Sequence, residues 1–500
     1  MKFIYWVFFI FFINTGIQAQ REYEKDAKLL GIKSLDRFKS FLALANDASN
    51  IDEIKNNITW VEEQLKIQNF NIKILETFSL PLMIANLSVN EKLPTIAFYM
   101  HLDGQAVDRS KWEQEDPYKA VLKKQVNTSF KTLSWDTLES DLVNDLRIFA
   151  RSSSDDKGPF LMLLTALEYL KNKNKSPAFN VKLILDFEEE QSSPGLPEAV
   201  KKYKKDLLAE LLLILDGPMH SSGRPTLVFG NRGIAKLTLT TYGPKTAQHS
   251  GHYGNYIPNP ALELSKVLAS MKDDFGRVVI PDFYKGINID SSVKKILDAV
   301  PSEDASIKSR TQISNTDKVG KTYQESIQYP SLNIRGMRSG WVGKEARTII
   351  PETATAEIDI RLVIESDPYE LISGVKRHIQ NLGYTVLNDE PTKEERLNNT
   401  KIIRFNSKIA YPAFRTNTQG KEGKWLSKII EDYYNISPVI IRTSGGSVPI
   451  SPFVSELGVP AIGVPTVNLD NNQHSPNENL KIGNYLNGIE TFLAILTSRF

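Results

Sequence analysis

Residues 95–105, Thr-Ile-Ala-Phe-Tyr-Met-His-Leu-Asp-Gly-Gln, carry an apolar run, Thr95–Met100, that breaks off at His101, with Asp103 two positions on. A short run rich in β-branched and aromatic residues and bounded by turn formers reads as a buried strand. In an open parallel sheet, catalytic and ligand groups gather at the carboxyl ends of strands. A histidine there, with a carboxylate near enough to hold its second ring nitrogen, is suited to be an oriented metal ligand. Taken alone, the pattern equally fits a hydrogen-bonded histidine beside a turn.

The same design recurs downstream. Val181–Phe187 is strand-like and opens into Glu188-Glu189-Glu190; Leu211–Leu215 is another apolar run and ends at Asp216. Between the first two lies the polar stretch Arg151-Ser-Ser-Ser-Asp-Asp-Lys-Gly158, which leads into a Leu- and Ala-rich segment, Pro159–Leu170, with proline near its start as a helix N-terminus favours. Strand-like runs ending in His, Glu or Asp and separated by helical stretches predict an α/β domain with a mixed, mostly parallel sheet and helices on both faces. Upstream, Asp52–Lys66 reads as a helix, and Ile72–Ile74 and Leu82–Leu87 as short strands. Residues 106–150 read as a long ordered loop with helical pieces.

After Arg232-Gly233 the texture changes. Ile234–Tyr242 and Thr355–Val363 alternate apolar and polar residues, and Tyr369–Leu382 has a helical pattern. These predict an inserted α+β domain over 234–395, with the main domain in two parts, 20–233 and 396–500. The second part carries a tight turn at Ser444–Ser447, a strand at Ala461–Val464, a polar loop at Gln473–Pro476 and a closing helix at Tyr485–Leu496.

Composition narrows the class of protein. Hydrophobic residues make up 41% of the 500 and charged residues 24%, an ordinary globular balance. A formal net charge of +2 supplies no electrostatic argument for a nucleic-acid partner. Residues 1–19 have a basic Lys2, an apolar Ile4–Ile13 and small or polar residues ending at Ala19, the layout of a secretory signal segment cleaved after Ala19. The expectation is a periplasmic or secreted protein, with no stable membrane insertion after cleavage; an uncleaved anchor is the alternative. The chain has no cysteine, which excludes thiol catalysis and cysteine metal sites.

Of the six histidines, His101 and His474 fall in strand-end or loop contexts in the two parts of the main domain. With Asp155, Glu190 and Asp216 they offer nitrogen and oxygen donors and no sulfur, a set suited to zinc and also to manganese or cobalt. Two divalent ions about 3.5–4 Å apart and bridged by one carboxylate can activate a water and stabilise a developing oxyanion. A further carboxylate beside a ligand glutamate would serve as general base. His220 and His378 read as surface histidines and His252 as structural or rim-exposed.

In chain order, HLDGQ at 101–105, Trp112 with Asp116-Pro117-Tyr118, RSSSDDKG at 151–158, EEQSS at 189–193, LD at 215–216, HSG at 249–251 with Asn259-Pro260, RTIIPE at 347–352, RLV at 361–363, GGSVP at 445–449 and HSPNEN at 474–479 resemble the M20 family of metallopeptidases. Within it, the similarity is to the carnosinase-like and succinyl-diaminopimelate-desuccinylase-like branch. The resemblance implies that His101 and Asp216 bind one metal, Glu190 and His474 the other, and that Asp155 bridges them. It further implies that Asp103 orients His101 and that Glu189 is the general base. The inserted segment matches the family's lid and dimerisation domain, implying a homodimer in which His249 helps to stabilise the tetrahedral oxyanion. Arg361 resembles the arginine that pairs with a substrate carboxylate, with Thr348, Gly446 and Ser447 as smaller contacts. Ser444 stands where dipeptidases of this branch commonly have Glu. The expected activity is hydrolysis of dipeptides or short peptides with a free C-terminal carboxylate. An N-acyl amino acid amidohydrolase with the same centre is the alternative, and a catalytically silent binding protein a third reading.

Overall fold

The computed structural model describes residues 26–139 and 143–500; the expected signal segment, 1–19, lies outside the described residues. Among the described residues no helix is long and apolar enough to cross a membrane. The chain divides into two units. The first comprises the described residues up to Phe229 together with Thr416–Ile440 and Pro452–Phe500; the second comprises Gly230–Arg415 and Ile441–Ser451.

The first unit is built on an eight-stranded sheet. At its centre Thr95–His101 runs parallel to Asn180–Asp186 on one side and to Leu211–Ile214 on the other, and Ala461–Gly463 continues the parallel set. Leu82–Leu87 and Asn71–Leu75 extend one side as antiparallel strands. Strand Thr95–His101 is buried on both faces, which is why its sequence is apolar throughout rather than alternating. Successive side chains nevertheless point opposite ways. The Phe98 ring meets Phe179 at 6.5 Å on one face, and the Tyr99 ring meets Phe453, on helix Ser451–Leu457, at 6.1 Å.

Helix Lys157–Asn172 is buried along nearly its whole length and packs on the closing helix, Ile482–Thr497. That explains its apolar composition: a helix covered on most sides needs no polar face. Gly158, at its start, lies where a Cβ would fall 2.2 Å from the Ser153 carbonyl oxygen, so the turn entering the helix closes only on glycine.

Residues 106–150 depart from the expected loop. They form a hairpin, Val121–Val126 with Ser129–Thr132, and a strand, Leu146–Phe149, that together with Asn479–Lys481 make a four-stranded sheet. The hairpin is largely exposed, so it lacks the apolar alternation that marks half-buried strands. Its one deeply buried charge, Lys123, places its ammonium 4.5 Å from the centre of the Phe149 ring and pairs with Glu113 at 2.8 Å.

The second unit holds a five-stranded sheet in the order Ser331–Arg338, Thr353–Leu362, Gly233–Tyr242, Ile402–Tyr411, Thr385–Leu387. All neighbours are antiparallel except the last pair. Leu237, Leu239, Ile358 and Ile360 form its core with Leu264 and Val267 of helix Pro260–Ala269 and Val375 and Ile379 of helix Pro368–Asn381. Strand Ile402–Tyr411, beyond the boundary expected at 395, belongs to this sheet. Its pairing with Gly233–Tyr242 spans far more sequence than any local pattern reports.

Burial of Phe98 between the parallel strands and the Phe179 ring sets a clear expectation. Phe98→Ala should lower the unfolding free energy by about 3–5 kcal/mol, measured by urea denaturation.

Candidate metal centre

Three strand ends and two loops of the first unit converge on one polar cluster. His101 ends strand Thr95–His101 and is 1% exposed. Its Nε2 lies 2.8 Å from Asp155 Oδ1, and its Nδ1 lies 3.3 Å from Asp103 Oδ1. Asp103 thus lies against one ring nitrogen at ion-pair distance, without a hydrogen bond of good geometry, and the other nitrogen is directed into the cluster. The same carboxylate accepts the Glu189 backbone N–H on Oδ1 at 3.1 Å and the Glu190 N–H on Oδ2 at 3.0 Å. A single side chain thus registers two neighbouring strand ends against each other. Asp186 adds to this from below. It accepts from the Tyr99 hydroxyl at 2.9 Å, the Ser193 hydroxyl at 2.6 Å and the Glu188 N–H at 3.0 Å, closing the turn that bears Glu189 and Glu190.

Two groups of potential ligands result. His101, Asp155 and Asp216 form one, and Asp155, Glu190 and His474 the other; within each, the ligand atoms lie within 4.8 Å of one another. Asp155 is the member common to both. His474 Nε2 lies 3.0 Å from Asp155 Oδ2 and 3.2 Å from Glu190 Oε2. Gln105 donates to Glu190 Oε2 at 2.7 Å, while Glu190 Oε1 is buried with no hydrogen-bond partner. All five residues expected as ligands are therefore brought together.

The electrostatics are those of a place prepared for positive charge. Burial, and then the Asp155 charge, push Glu190 up to about 7 and Asp216 up to about 6. Burial, opposed by His101 and reinforced by Asp216, Glu190 and Asp103, raises Glu189 well above the ordinary carboxylate range. Burial also works on Asp155, yet hydrogen bonds from His101 and His474 hold it below its usual value. The hydrogen bond to Asp155 raises His474 to about 9 against the effect of burial. Carboxylates that crowd one another in a buried site, with an orphaned oxygen at Glu190, fit two divalent cations; nitrogen and oxygen donors without sulfur fit their chemistry.

One functional residue was missed in the sequence. Glu478 is fully buried and accepts the Ser152 N–H at 2.8 Å on Oε2 and the Ser154 and Asp155 N–H groups at 2.9 and 3.0 Å on Oε1. It also pairs with the Arg151 guanidinium at 2.7 Å. The loop that presents Asp155 is moulded around this one carboxylate. The available signal was its place in the HSPNEN stretch, 474–479, just before the buried strand Asn479–Lys481. Gly104 completes the fit: a Cβ there would lie 2.3 Å from Ser152 Oγ, so glycine lets the two ligand loops touch.

The remaining predicted residues belong to the second unit. Gln248–His249 pairs with Ile349–Ile350, and the Ser250 N–H donates to the Thr348 carbonyl, so His249 and Thr348 share one small ribbon. His249 is exposed, and its Nδ1 accepts the Gly251 N–H at 3.0 Å, which leaves Nε2 to carry the ring proton. Arg361 Nη1 donates to Ser447 Oγ at 2.8 Å, placing Arg361 in contact with the Ser444–Ser447 turn that holds Gly446. His252 packs beside His249, and His378 bonds Ser270. His220, expected at the surface, is buried instead.

The model of the peptidase family M20/M25/M40 matches residues 97–498. The chain belongs to that family, and its paired ligand clusters make it a metal-dependent hydrolase. It is similar to the Cys-Gly metallodipeptidase DUG1 of Candida albicans, at 25% identity over 94% of this chain and 92% of that one. Similarity to the Beta-Ala-His dipeptidase of Rattus norvegicus is 24% identity over 83% and 79% of the two chains. Among solved structures, the M20 family metallo-carboxypeptidase Sso-CP2 from Sulfolobus solfataricus superposes with a TM-score of 0.76 at 25% identity, covering 93% of this chain and 98% of the other. Human carnosine dipeptidase 1 shares the fold, with a TM-score of 0.74 at 21% identity, covering 95% of this chain and 98% of the other.

Removing Glu478 should damage the loop before it damages anything else. Glu478→Ala leaves the buried Arg151 guanidinium unpaired and is expected to cost about 3–5 kcal/mol in unfolding free energy. Metal content measured by elemental analysis should fall with it, because Asp155 loses its support.

Proposed function

We propose that the protein is a dinuclear metallopeptidase that hydrolyses dipeptides or short peptides bearing a free C-terminal carboxylate. The observation that carries this reading is the pair of three-residue ligand groups sharing Asp155, with Glu189 beside them. The metallodipeptidases and the metallo-carboxypeptidase to which the chain is similar support the substrate class.

His101 and Asp216 would hold one ion, Glu190 and His474 the second, and Asp155 would bridge. Zinc is the ion we favour, from two histidines among oxygen donors; manganese or cobalt suits the same set. When bound, such ions supply Lewis-acid polarisation of the scissile carbonyl and a lowered pKa for the attacking water. The chain's own residues do the rest. Glu189, raised by burial among other carboxylates, takes a proton from that water on its carboxylate oxygen and delivers it to the leaving amine nitrogen. Asp103 holds His101 by Nδ1 throughout, so the ligand nitrogen keeps its direction. His249 Nε2 donates to the oxyanion as charge develops there. Arg361 takes the substrate carboxylate through its bidentate fork, with Ser447, Gly446 and Thr348 as further contacts.

The family's dimer is part of the proposal. Strand Ser331–Arg338 is an outer strand of its sheet, and Ile334, Met337, Trp341 and Val342, on it and just beyond, are exposed. An exposed apolar edge of this kind favours pairing with a second copy. The composition of residues 1–19 supports export to the periplasm or beyond.

Metal-stripped protein should be inactive on a panel of dipeptides, tripeptides and N-acetyl amino acids, and active when Zn²⁺, Mn²⁺ or Co²⁺ is restored. Glu189→Ala should lower kcat by about 10²–10⁴-fold while still binding two metals. Cleavage of acylated amino acids alone would make the protein an amidohydrolase with the same centre. Separately, Met337→Asp with Ile334→Lys should convert a dimer to a monomer by light scattering; an unchanged mass would remove this edge from the interface.

A further inference from the structure

Arg232 has no role in the reading above, yet it is one of the most confined charges in the second unit. It precedes strand Gly233–Tyr242 and is 7% exposed. Its backbone N–H donates to the carbonyls of Ser444 and Gly446, at 3.3 and 3.2 Å, and Asn231 bridges to Ser444. Its side chain donates through Nη2 to the Tyr329 carbonyl at 2.9 Å and to Ser331 Oγ at 2.8 Å. Ser331 is the register partner of Arg361 across the strand pair. Arg232 therefore ties together the turn that carries Gly446 and Ser447 and the strand beside Arg361.

Its charge is not balanced. Nε is buried without a hydrogen-bond partner, and Asp359 opposes the charge only from beyond ion-pair distance. Burial, and then the nearby Arg361 charge, bring it down to about 10. Arg361 itself has only Asp359, at 3.4 Å, and that carboxylate also lies 4.0 Å from Arg335 and accepts from Asn333. Two guanidiniums beside one turn thus share a single carboxylate that is itself divided. A buried cation without a partner is costly, and an arriving anion would relieve it.

We propose that Arg232 is a second arginine of carboxylate recognition, a positioning residue that presents the Ser444–Ser447 turn and adds its charge to that of Arg361. The proposal rests on the reading that Arg361 receives the free carboxylate of the substrate. It differs from a purely structural role because the arginine charge, and not only its hydrogen bonds, should set the preference for an acid over its amide.

The test is calorimetric binding of N-acetyl-L-alanine and of N-acetyl-L-alaninamide to the metal-loaded full chain, which requires no turnover. Wild type should prefer the acid. Arg232→Met should reduce that preference by about tenfold, with the amide affinity unchanged, and Arg232→Lys should keep most of it. In peptide hydrolysis the same Arg232→Met change should raise KM and leave kcat. Should Arg232→Met not fold, Ser331→Ala decides: it removes one anchor of Nη2 and is expected to weaken the acid severalfold but not the amide. Equal weakening of acid and amide by these variants, or an unchanged preference, overturns the proposal, as does a wild type that does not distinguish the two ligands. A wild type that prefers the acid but hydrolyses no peptide would instead overturn the peptidase reading alone.

Discussion

A buried carboxylate is stable only where hydrogen bonds or cations replace the water it has lost, and the first unit is arranged around several that must be satisfied together. Glu478 does so with three backbone N–H groups and the Arg151 guanidinium, Asp103 with two backbone N–H groups and an imidazole. In each case the donors come from the segments that carry the metal-directed side chains. The need to satisfy these buried acids is therefore also what gives the ligand loops their shape. The remaining acids, Asp155, Glu190 and Asp216, are left to crowd one another, and a pair of divalent cations is the natural balance.

The parallel core was legible in the sequence because apolar residues dominate its strands and a residue able to bind metal or move protons stands at or just past each end. His101 ends Thr95–His101, Asp186 ends Asn180–Asp186 with Glu189 and Glu190 following, and Asp216 lies two residues beyond Leu211–Ile214. The ligand set was legible for the same reason, together with the family resemblance. Glu478 was not, because its role depends on a loop more than 300 positions away, Arg151–Asp155, folding onto it. The hairpin Val121–Thr132 was missed for a different cause: its strands face solvent, so nothing in their composition separates them from a loop.

The second unit shows the limit of texture as a guide to boundaries. Strand Ile402–Tyr411 resembles its neighbours on either side in composition, and only pairing with Gly233–Tyr242 assigns it. The segment Ile441–Ser451 is a stronger case. It is short, carries no long strand or helix of its own, and joins the unit through contacts at Asn231 and Arg232. These are the positions that bring Ser447 against Arg361.

Asp103 carries one consequence further. Because the same two oxygens steady an imidazole and two consecutive peptide groups, the ligand His101 and the acids Glu189 and Glu190 cannot be adjusted independently. A substitution that shifts one drags the others, so the reacting centre should resist gradual change. The residues proposed to grip the substrate lie in the second unit and take no part in that linkage. Divergence toward new substrates should therefore accumulate around the arginines and the turn they hold, while the acid-rich strand ends stay fixed.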